Sequence, residues 1–164
     1  MKSLSNHFRI RRARTLPARA AGAAALALLM SGCATGPRVA TLAAEEVHPL
    51  EGKQCSCAAF RQGKAMTLRN VVFTTGPYDG PARIRVDGET VQLRRKGEPE
   101  GRNPTRNTYT GEGVVVVSLA TEAPYEACAE YPKPPTQGSC FTGSLTVRRN
   151  SAHTTIPVIQ ICGC

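Results

Sequence analysis

The sequence has little histidine and none of the short motifs that mark common catalytic sites. After residue 32 it contains only His48 and His153. It has no G-x-S-x-G nucleophile elbow, no HExxH zinc motif and no glycine-rich phosphate loop. Its acidic residues are scattered, without a spacing that predicts a paired-carboxylate site. The sequence therefore predicts a protein that is not an enzyme and that has no catalytic residues, metal ligands or cofactor.

A hydrophobic run long enough to span a bilayer is also missing. The most apolar stretch, residues 20–30, is shorter than the roughly 20 residues that a transmembrane helix needs. The small residues Ser31 and Gly32 follow it, and a basic segment precedes it that contains Lys2, Arg9, Arg11, Arg12, Arg14 and Arg19. This three-part layout is typical of an export signal, which we place at residues 1–32.

The end of this segment, Met30-Ser31-Gly32-Cys33, resembles the lipobox of bacterial lipoproteins, with methionine where leucine is usual. The resemblance implies cleavage before Cys33 and lipidation of that cysteine, which would anchor the chain to a membrane. Ala34 stands where an aspartate would act as a retention signal. By the sorting rules of the family, this implies attachment to the outer membrane, at its periplasmic face. The alternative is an ordinary secreted protein in which Cys33 merely lies near the cleavage site.

The strong positive charge belongs mostly to the predicted signal. Six of the 21 basic residues and none of the 12 acidic residues precede Cys33, so the remaining chain carries 15 basic against 12 acidic side chains, a net charge of +3. Nucleic-acid binding, which needs a strongly basic surface, loses its main support. We therefore expect no nucleic acid among the partners.

The seven cysteines raise the question of which one has no disulfide partner, because disulfides use cysteines in pairs. Lipidation of Cys33 leaves six, and an exported chain meets an oxidising environment that favours disulfides. Cysteines two residues apart on a strand point to the same face. Antiparallel pairing of the two C-x-C motifs predicts the disulfides Cys55–Cys164 and Cys57–Cys162, whereas parallel ends would give the opposite pairing.

The remaining two cysteines, Cys128 and Cys140, flank a proline-rich loop, and we predict a disulfide between them. A competing interpretation uses the two C-x-C motifs as four thiolate ligands for zinc or copper(I). Under this interpretation, the function of the protein would be to bind a metal ion. Structural zinc sites usually have C-x-x-C spacing, and no histidine-rich or methionine-rich stretch accompanies these thiols.

Period-two alternation of apolar and polar residues predicts strands from residue 67 onward. Two such runs flank Asp87-Gly88, a dipeptide that favours a type I′ hairpin turn because glycine tolerates a positive φ. A two-residue turn pairs Ile84 with Val91, which places the apolar residues of both strands on one face. A second hairpin turn is predicted at Asn150-Ser151.

Residues 113–119 form an unbroken run of mainly β-branched residues, from which we expect a central strand buried on both faces. Residues 96–108 and 121–138 are rich in Gly, Pro and Asn and predict irregular loops. These elements indicate an all-β domain at residues 53–164, preceded by a flexible tether at residues 33–52. We expect a disulfide-stapled small antiparallel β-barrel, OB-like, or a compact β-sandwich.

Two groups of side chains are candidates for binding a partner. The disulfide-closed loop brings aromatic residues near each other, which supply contact area at low entropic cost. The hairpin register places arginines on the polar face of two strands, where a solvated sheet face is the alternative interpretation. The candidates are Tyr125, Tyr131 and Phe141 around the loop, and Arg83, Arg85 and Arg94 on the strands.

These observations predict a membrane-anchored, periplasmic binding module. Small periplasmic β-barrel lipoproteins that inhibit lysozymes or neutralise secreted effectors are similar in size, disulfide use and tethering. The resemblance implies a periplasmic protein as partner, and an inhibitor or immunity role against an envelope-degrading enzyme. A structural or assembly component of the cell envelope is the alternative, beside the metal-binding protein.

Overall fold

The alternating pattern produces nine β-strands in the computed structural model, which describes residues 36–49, 55–77, 80–131 and 138–163. Short 3₁₀ helices lie at Ala44–Glu46, Leu68–Asn70 and Tyr125–Cys128. The strands are β1 (Val39–Ala40), β2 (Ser56–Arg61), β3 (Val71–Thr75), β4 (Ala82–Val86), β5 (Glu89–Arg95), β6 (Thr105–Gly111), β7 (Val114–Ala123), β8 (Gly138–Arg149) and β9 (Ala152–Gly163).

Strands β2 to β9 form a closed eight-stranded antiparallel barrel. Each of them pairs with the next along the chain, and β2 pairs with β9 to close the ring. The predicted all-β fold with a small antiparallel barrel is confirmed, and the sandwich is not formed. The connectivity is up-and-down, whereas an OB-fold has five strands in Greek-key order. Closure pairs both edges of every barrel strand over at least part of its length. This pairing protects the sheet from edge-to-edge association with other chains.

Both predicted hairpin registers are confirmed. Ile84 pairs with Val91 across the turn at Asp87-Gly88, where both turn residues have positive φ, as a type I′ turn requires. The second hairpin pairs Leu145 with Ile156 and Val147 with Thr154 across Asn150-Ser151. The turn residues thus set which side chains of β4, β5, β8 and β9 face the barrel interior.

The two ends of the barrel differ. At one end, tight turns at residues 87–88, 112–113 and 150–151 and the connection 62–70 join the strands, and we call this the closed end. At the other end, strands β3, β5 and β7 run into the longer connections 76–81, 96–104 and 124–137, and we call this the open end. β2 begins and β9 finishes at the open end, because Ser56 pairs with Gly163.

The interior near the closed end is filled by Val, Ile and Leu side chains. At this end the inward residues of β7 are Val114 and Val116, which are buried. The prediction that residues 113–119 are buried on both faces is wrong. Val115 and Val117 are only half-buried and Leu119 is 41% exposed, because β7 is a barrel wall with one face toward solvent.

Strand β2, by contrast, is buried on both sides. Ala59 packs inside the barrel, while Ala58 and Phe60 face outward and are fully covered. The cover is a second apolar cluster outside the barrel wall, which we call the outer cluster. It consists of Leu42, Ala58, Phe60, Met66, Val71, Cys128, Cys140 and Ile161.

Much of the predicted tether is part of this packing. Within residues 36–49, Val39 pairs with Val86 of β4, and Leu42 is 3% exposed in the outer cluster. The amide of Leu42 donates a hydrogen bond of 2.8 Å to the carbonyl oxygen of Val71. Residues 36–49 are therefore not a free spacer, and we call them the strap. The apolar side chains of the strap gain burial that a solvated tether would not provide.

The predicted signal, residues 1–32, and the lipidation site Cys33 lie outside the described residues, as do residues 50–54 of the predicted tether and the start of the β domain. The described ranges contain no helix that is long and apolar enough to cross a membrane. The division into signal, tether and β domain stays a prediction in these parts of the chain.

Candidate ligand-binding cavity

A cavity of about 470 Å³ opens at the open end of the barrel. This volume lies within the range of roughly 300–1,000 Å³ that is typical of small-molecule sites. The described residues that line it come from β2 and the residue before it, from β3, from β5 to β9 and from two open-end connections. They are Cys55, Ser56, Cys57, Thr75, Gly76, Gly80, Arg95, Pro99, Thr105, Asn107, Tyr109, Ala120, Phe141, Gln160 and Cys162, and the surface they present is mainly apolar.

The cavity arises from a gradient of side chains along the barrel axis. In β9, the inward positions run from Ile156 and Val158 near the closed end to Gln160 near the open end. In β5, they run from Leu93 to Arg95. An eight-stranded barrel is just wide enough to be filled by side chains or to hold one small ligand. The apolar half is filled, and the half with more polar inward residues is not.

Tyr109 lies between the apolar core and the cavity. Its ring meets Phe73 edge to face, with the ring centroids 5.2 Å apart, and the residue also lines the cavity. Burial raises the pKa of the Tyr109 phenol, and the positive charge of Arg95 opposes this shift without cancelling it. The hydroxyl therefore stays protonated at neutral pH and can donate or accept a hydrogen bond.

The wall of the cavity includes the disulfide Cys57–Cys162, with sulfurs 2.02 Å apart, which confirms one predicted pairing. Cys55 is also disulfide-bonded, but Cys164 lies outside the described residues, so the pairing Cys55–Cys164 stays a prediction. A thiolate metal site would need these sulfurs reduced. Within the described parts of the chain, no three or more His, Cys, Asp or Glu residues group closely enough to hold a metal ion.

The second predicted disulfide in the described residues, Cys128–Cys140, is confirmed as well. It does not line the cavity. Both cysteines are buried in the outer cluster, where they hold the 3₁₀ helix Tyr125–Cys128 against β8 and β9. This disulfide therefore stabilises the cover over β2 and contributes nothing directly to the cavity.

The three predicted aromatic binding residues do not share a surface. Tyr125 is exposed on the 3₁₀ helix, and Tyr131 packs on Phe60 at a centroid distance of 5.6 Å in the outer cluster. Phe141 lies inside the barrel and lines the cavity. Alternation along β8 explains this, because Phe141 and its neighbour Cys140 point to opposite sides of the barrel wall.

The predicted arginine strip is partly covered by the strap. Nη1 of Arg83 donates a hydrogen bond of 3.0 Å to the carbonyl oxygen of Glu46, and Arg83 and Arg85 are only half-exposed. Arg94 is exposed to solvent. His48, near the end of the strap, is partly buried, and its pKa is lowered first by that burial and second by the charge of Arg83. The three arginines therefore do not form one open basic surface.

Three polar residues of the cavity, Arg95, Tyr109 and Gln160, were not among the predicted site residues. Their signal was present in the alternation, since Arg95 continues the inward set Val91 and Leu93 by one more step. A polar residue at an inward position near a strand end marks the place where the filled core stops. Comparisons of this chain with protein-family models, with curated proteins and with solved structures found no match.

Proposed function

We propose that this protein is an outer-membrane lipoprotein, anchored through Cys33 at the periplasmic face, that binds a small, largely apolar ligand in the open end of its barrel. The observation that carries the binding proposal is the cavity of about 470 Å³, which has a mainly apolar lining and a few polar groups. This combination is typical of small-molecule sites, in which apolar surface supplies affinity and polar groups fix orientation.

Binding without turnover is supported by the residue types in the cavity. The described lining residues include no His, Asp or Glu, which are the most frequent general acids and bases. The sulfurs of Cys57 and Cys162 are bonded to each other, so they are not available as nucleophiles. The chemistry that remains in the described lining is hydrogen bonding and a positive charge.

The path of the strap supports an orientation of the barrel on the membrane. The backbone of Arg38 exchanges hydrogen bonds with Asp87 at the closed end, as its amide donates to the carboxylate and its carbonyl accepts from the Asp87 amide. Gly36 lies against His153 at the same end. Two residues, Ala34 and Thr35, lie between Cys33 and Gly36, and the three steps along the chain can span at most about 10 Å. Lipidation at Cys33 would hold the closed end near the membrane, with the cavity opening toward the periplasm.

The inhibitor or immunity role and the role in envelope assembly both need a protein-binding surface. The residues predicted for such a surface are divided between the 3₁₀ helix, the outer cluster, the cavity and the strap-covered strands. For this reason we place the binding site in the cavity and take a small molecule, in preference to a periplasmic protein, as the partner.

The anchor is tested by the intact mass of the protein extracted from the native membrane fraction. We expect the mass of residues 33–164 plus acyl chains, with cysteine thiols that become alkylatable only after reduction. Since each buried methylene contributes about 0.8 kcal/mol, three acyl chains would hold the protein in the membrane. An unlipidated chain found in the soluble fraction would contradict the anchor.

The cavity is tested with the neutral fluorophore N-phenyl-1-naphthylamine, whose emission rises in apolar surroundings. We expect saturable binding to the wild-type protein and at least a tenfold weaker affinity for Ala120→Phe, because Ala120 lines the cavity and the added ring fills it. The matched control is Leu119→Phe, since the neighbouring Leu119 is 41% exposed on the outer face.

Thermal unfolding monitored by circular dichroism checks that both variants are folded. A wild-type protein that does not bind the fluorophore, or a folded Ala120→Phe variant that binds it as tightly as the wild type, would contradict a ligand site in the cavity. Weaker binding by Leu119→Phe alone would place the site on the outer face.

A further inference from the structure

One buried acceptor at the cavity has no partner among the described residues. Gln160 is 9% exposed and lines the cavity, and its oxygen Oε1 accepts no hydrogen bond. Its nitrogen Nε2 donates to Sγ of Cys162 at 3.7 Å. A disulfide sulfur has no hydrogen to donate, so the amide nitrogen belongs on the sulfur side and the oxygen is the atom that is left unpaired.

An unpaired buried carbonyl oxygen has lost its hydration without replacement, which makes it a strong site for an incoming donor. Oε1 is shielded from solvent as the side chain lies, so a ligand reaches it only when the Gln160 amide turns toward the cavity. A ligand in the cavity that offers O–H or N–H to the turned amide would gain a hydrogen bond that the protein alone lacks. A ligand of the same shape without a donor would leave the oxygen unpaired. The cavity should therefore distinguish two such molecules.

The charge of the ligand is limited by the same surroundings. The charge of Arg95 would attract an ionised carboxylate, but such a group only accepts hydrogen bonds, cannot donate to Gln160 and loses its hydration in a mainly apolar cavity. An ammonium group can donate, but its transfer into a mainly apolar cavity is costly, and Arg95 is the one charged residue among the described lining residues. A neutral hydroxyl or amide meets neither obstacle.

We propose that the cavity selects neutral, apolar molecules that donate a hydrogen bond, from a hydroxyl or an amide N–H, to Oε1 of Gln160. This inference rests on the proposed function, because it names the class of ligand for the same cavity. It identifies Gln160 as a specificity-determining residue, which accepts one hydrogen bond from the ligand.

The experiment measures displacement of N-phenyl-1-naphthylamine by 1-decanol and by decyl methyl ether, which carry the same alkyl chain and differ in the donor. We expect 1-decanol to bind the wild-type protein about tenfold more tightly, a difference of about 1.4 kcal/mol. Gln160→Met keeps the length of the side chain and removes the acceptor. The variant should therefore bind 1-decanol and decyl methyl ether with about equal affinity. Decanoate and decylammonium should both bind more weakly than 1-decanol.

Gln92→Met is the matched control. Gln92 is exposed on the outer face of β5 and does not line the cavity, so the preference for the alcohol should persist. Gln160→Met removes an unpaired buried oxygen, and we expect it to fold. If the variant does not fold, the ratio of the wild-type affinities for the alcohol and the ether still tests whether the cavity prefers a hydrogen-bond donor.

The failure of this inference can be told apart from the failure of the proposed function. Equal binding of the alcohol and the ether to the wild-type protein, an alcohol preference that survives Gln160→Met, or tighter binding of either charged probe would overturn the inference while a ligand-binding cavity remains. A wild-type protein that binds neither the fluorophore nor any of the alkyl probes would overturn both.

Discussion

Replacing the four cysteines at positions 55, 57, 162 and 164 by alanine should lower the free energy of unfolding by about 5 kcal/mol, the largest loss that we expect from any change to this chain. The disulfide Cys57–Cys162 joins residues 105 positions apart, and closing so long a loop removes much of the entropy of the unfolded chain. It also ties β2 to β9, the pair of strands that closes the barrel.

The partial variant Cys57→Ala/Cys162→Ala should lose only about 1 kcal/mol, the ordinary cost of a buried substitution. In that variant, the predicted disulfide Cys55–Cys164 would still close nearly the same loop, so little further entropy is released. Urea unfolding of the oxidised proteins measures both losses through the midpoint and the slope. A loss of about 5 kcal/mol from the partial variant would contradict the pairing Cys55–Cys164.

The parts of the fold that were predicted correctly are those fixed by neighbours in the sequence. The turn residues Asp87-Gly88 and the alternation on either side determine one hairpin, and its register followed from these few residues. The disulfide Cys57–Cys162 followed from spacing and antiparallel geometry. Since a two-residue turn and a period of two leave few alternatives, such elements need no knowledge of the rest of the chain.

The strands that were missed lack these local signals. Strand β6, Thr105–Gly111, lies partly in a segment predicted to be irregular, because its residues are mostly polar and only Tyr109 is buried. Its strand conformation depends on pairing with β7, which begins only three residues later. The strap was missed for a similar reason, since Leu42 is buried by residues that are distant in the sequence.

The candidate site was predicted only in part, because the alternation of inward and outward side chains was not extended to the ends of β5 and β8. Phe141 was predicted to be at the surface from its position beside the disulfide-closed loop. Its position in the alternation along β8 instead places its side chain inside the barrel. Arg95 was not among the candidates, although its position in the alternation along β5 places its side chain at the same cavity. The volume of the cavity depends on eight strands together, and no single segment contains that information.

Leu42→Ala should lower the free energy of unfolding by about 3 kcal/mol, because the variant leaves a hole in the outer cluster between the strap and β2. Leu42 is 3% exposed, and its cluster includes Phe60, which is fully buried. Truncating the leucine removes apolar contact on which the position of the strap depends, while the barrel hydrogen bonds stay intact. Urea unfolding gives the loss, and amide hydrogen exchange at Leu42, whose amide bonds to Val71, reports whether the strap detaches first.

The matched control is Leu68→Ala, since Leu68 is 47% exposed and its truncation should cost no more than about 0.5 kcal/mol. Equal and small losses from the two variants would contradict the packing of the strap on the barrel. A large loss from Leu42→Ala alone would mean that the segment that follows Cys33 is part of the folded unit. In a lipidated protein the distance between membrane and barrel would then be set by the three residues 33–35 and not by a long spacer, because the strap is fixed to β4 by the pairing of Val39 with Val86.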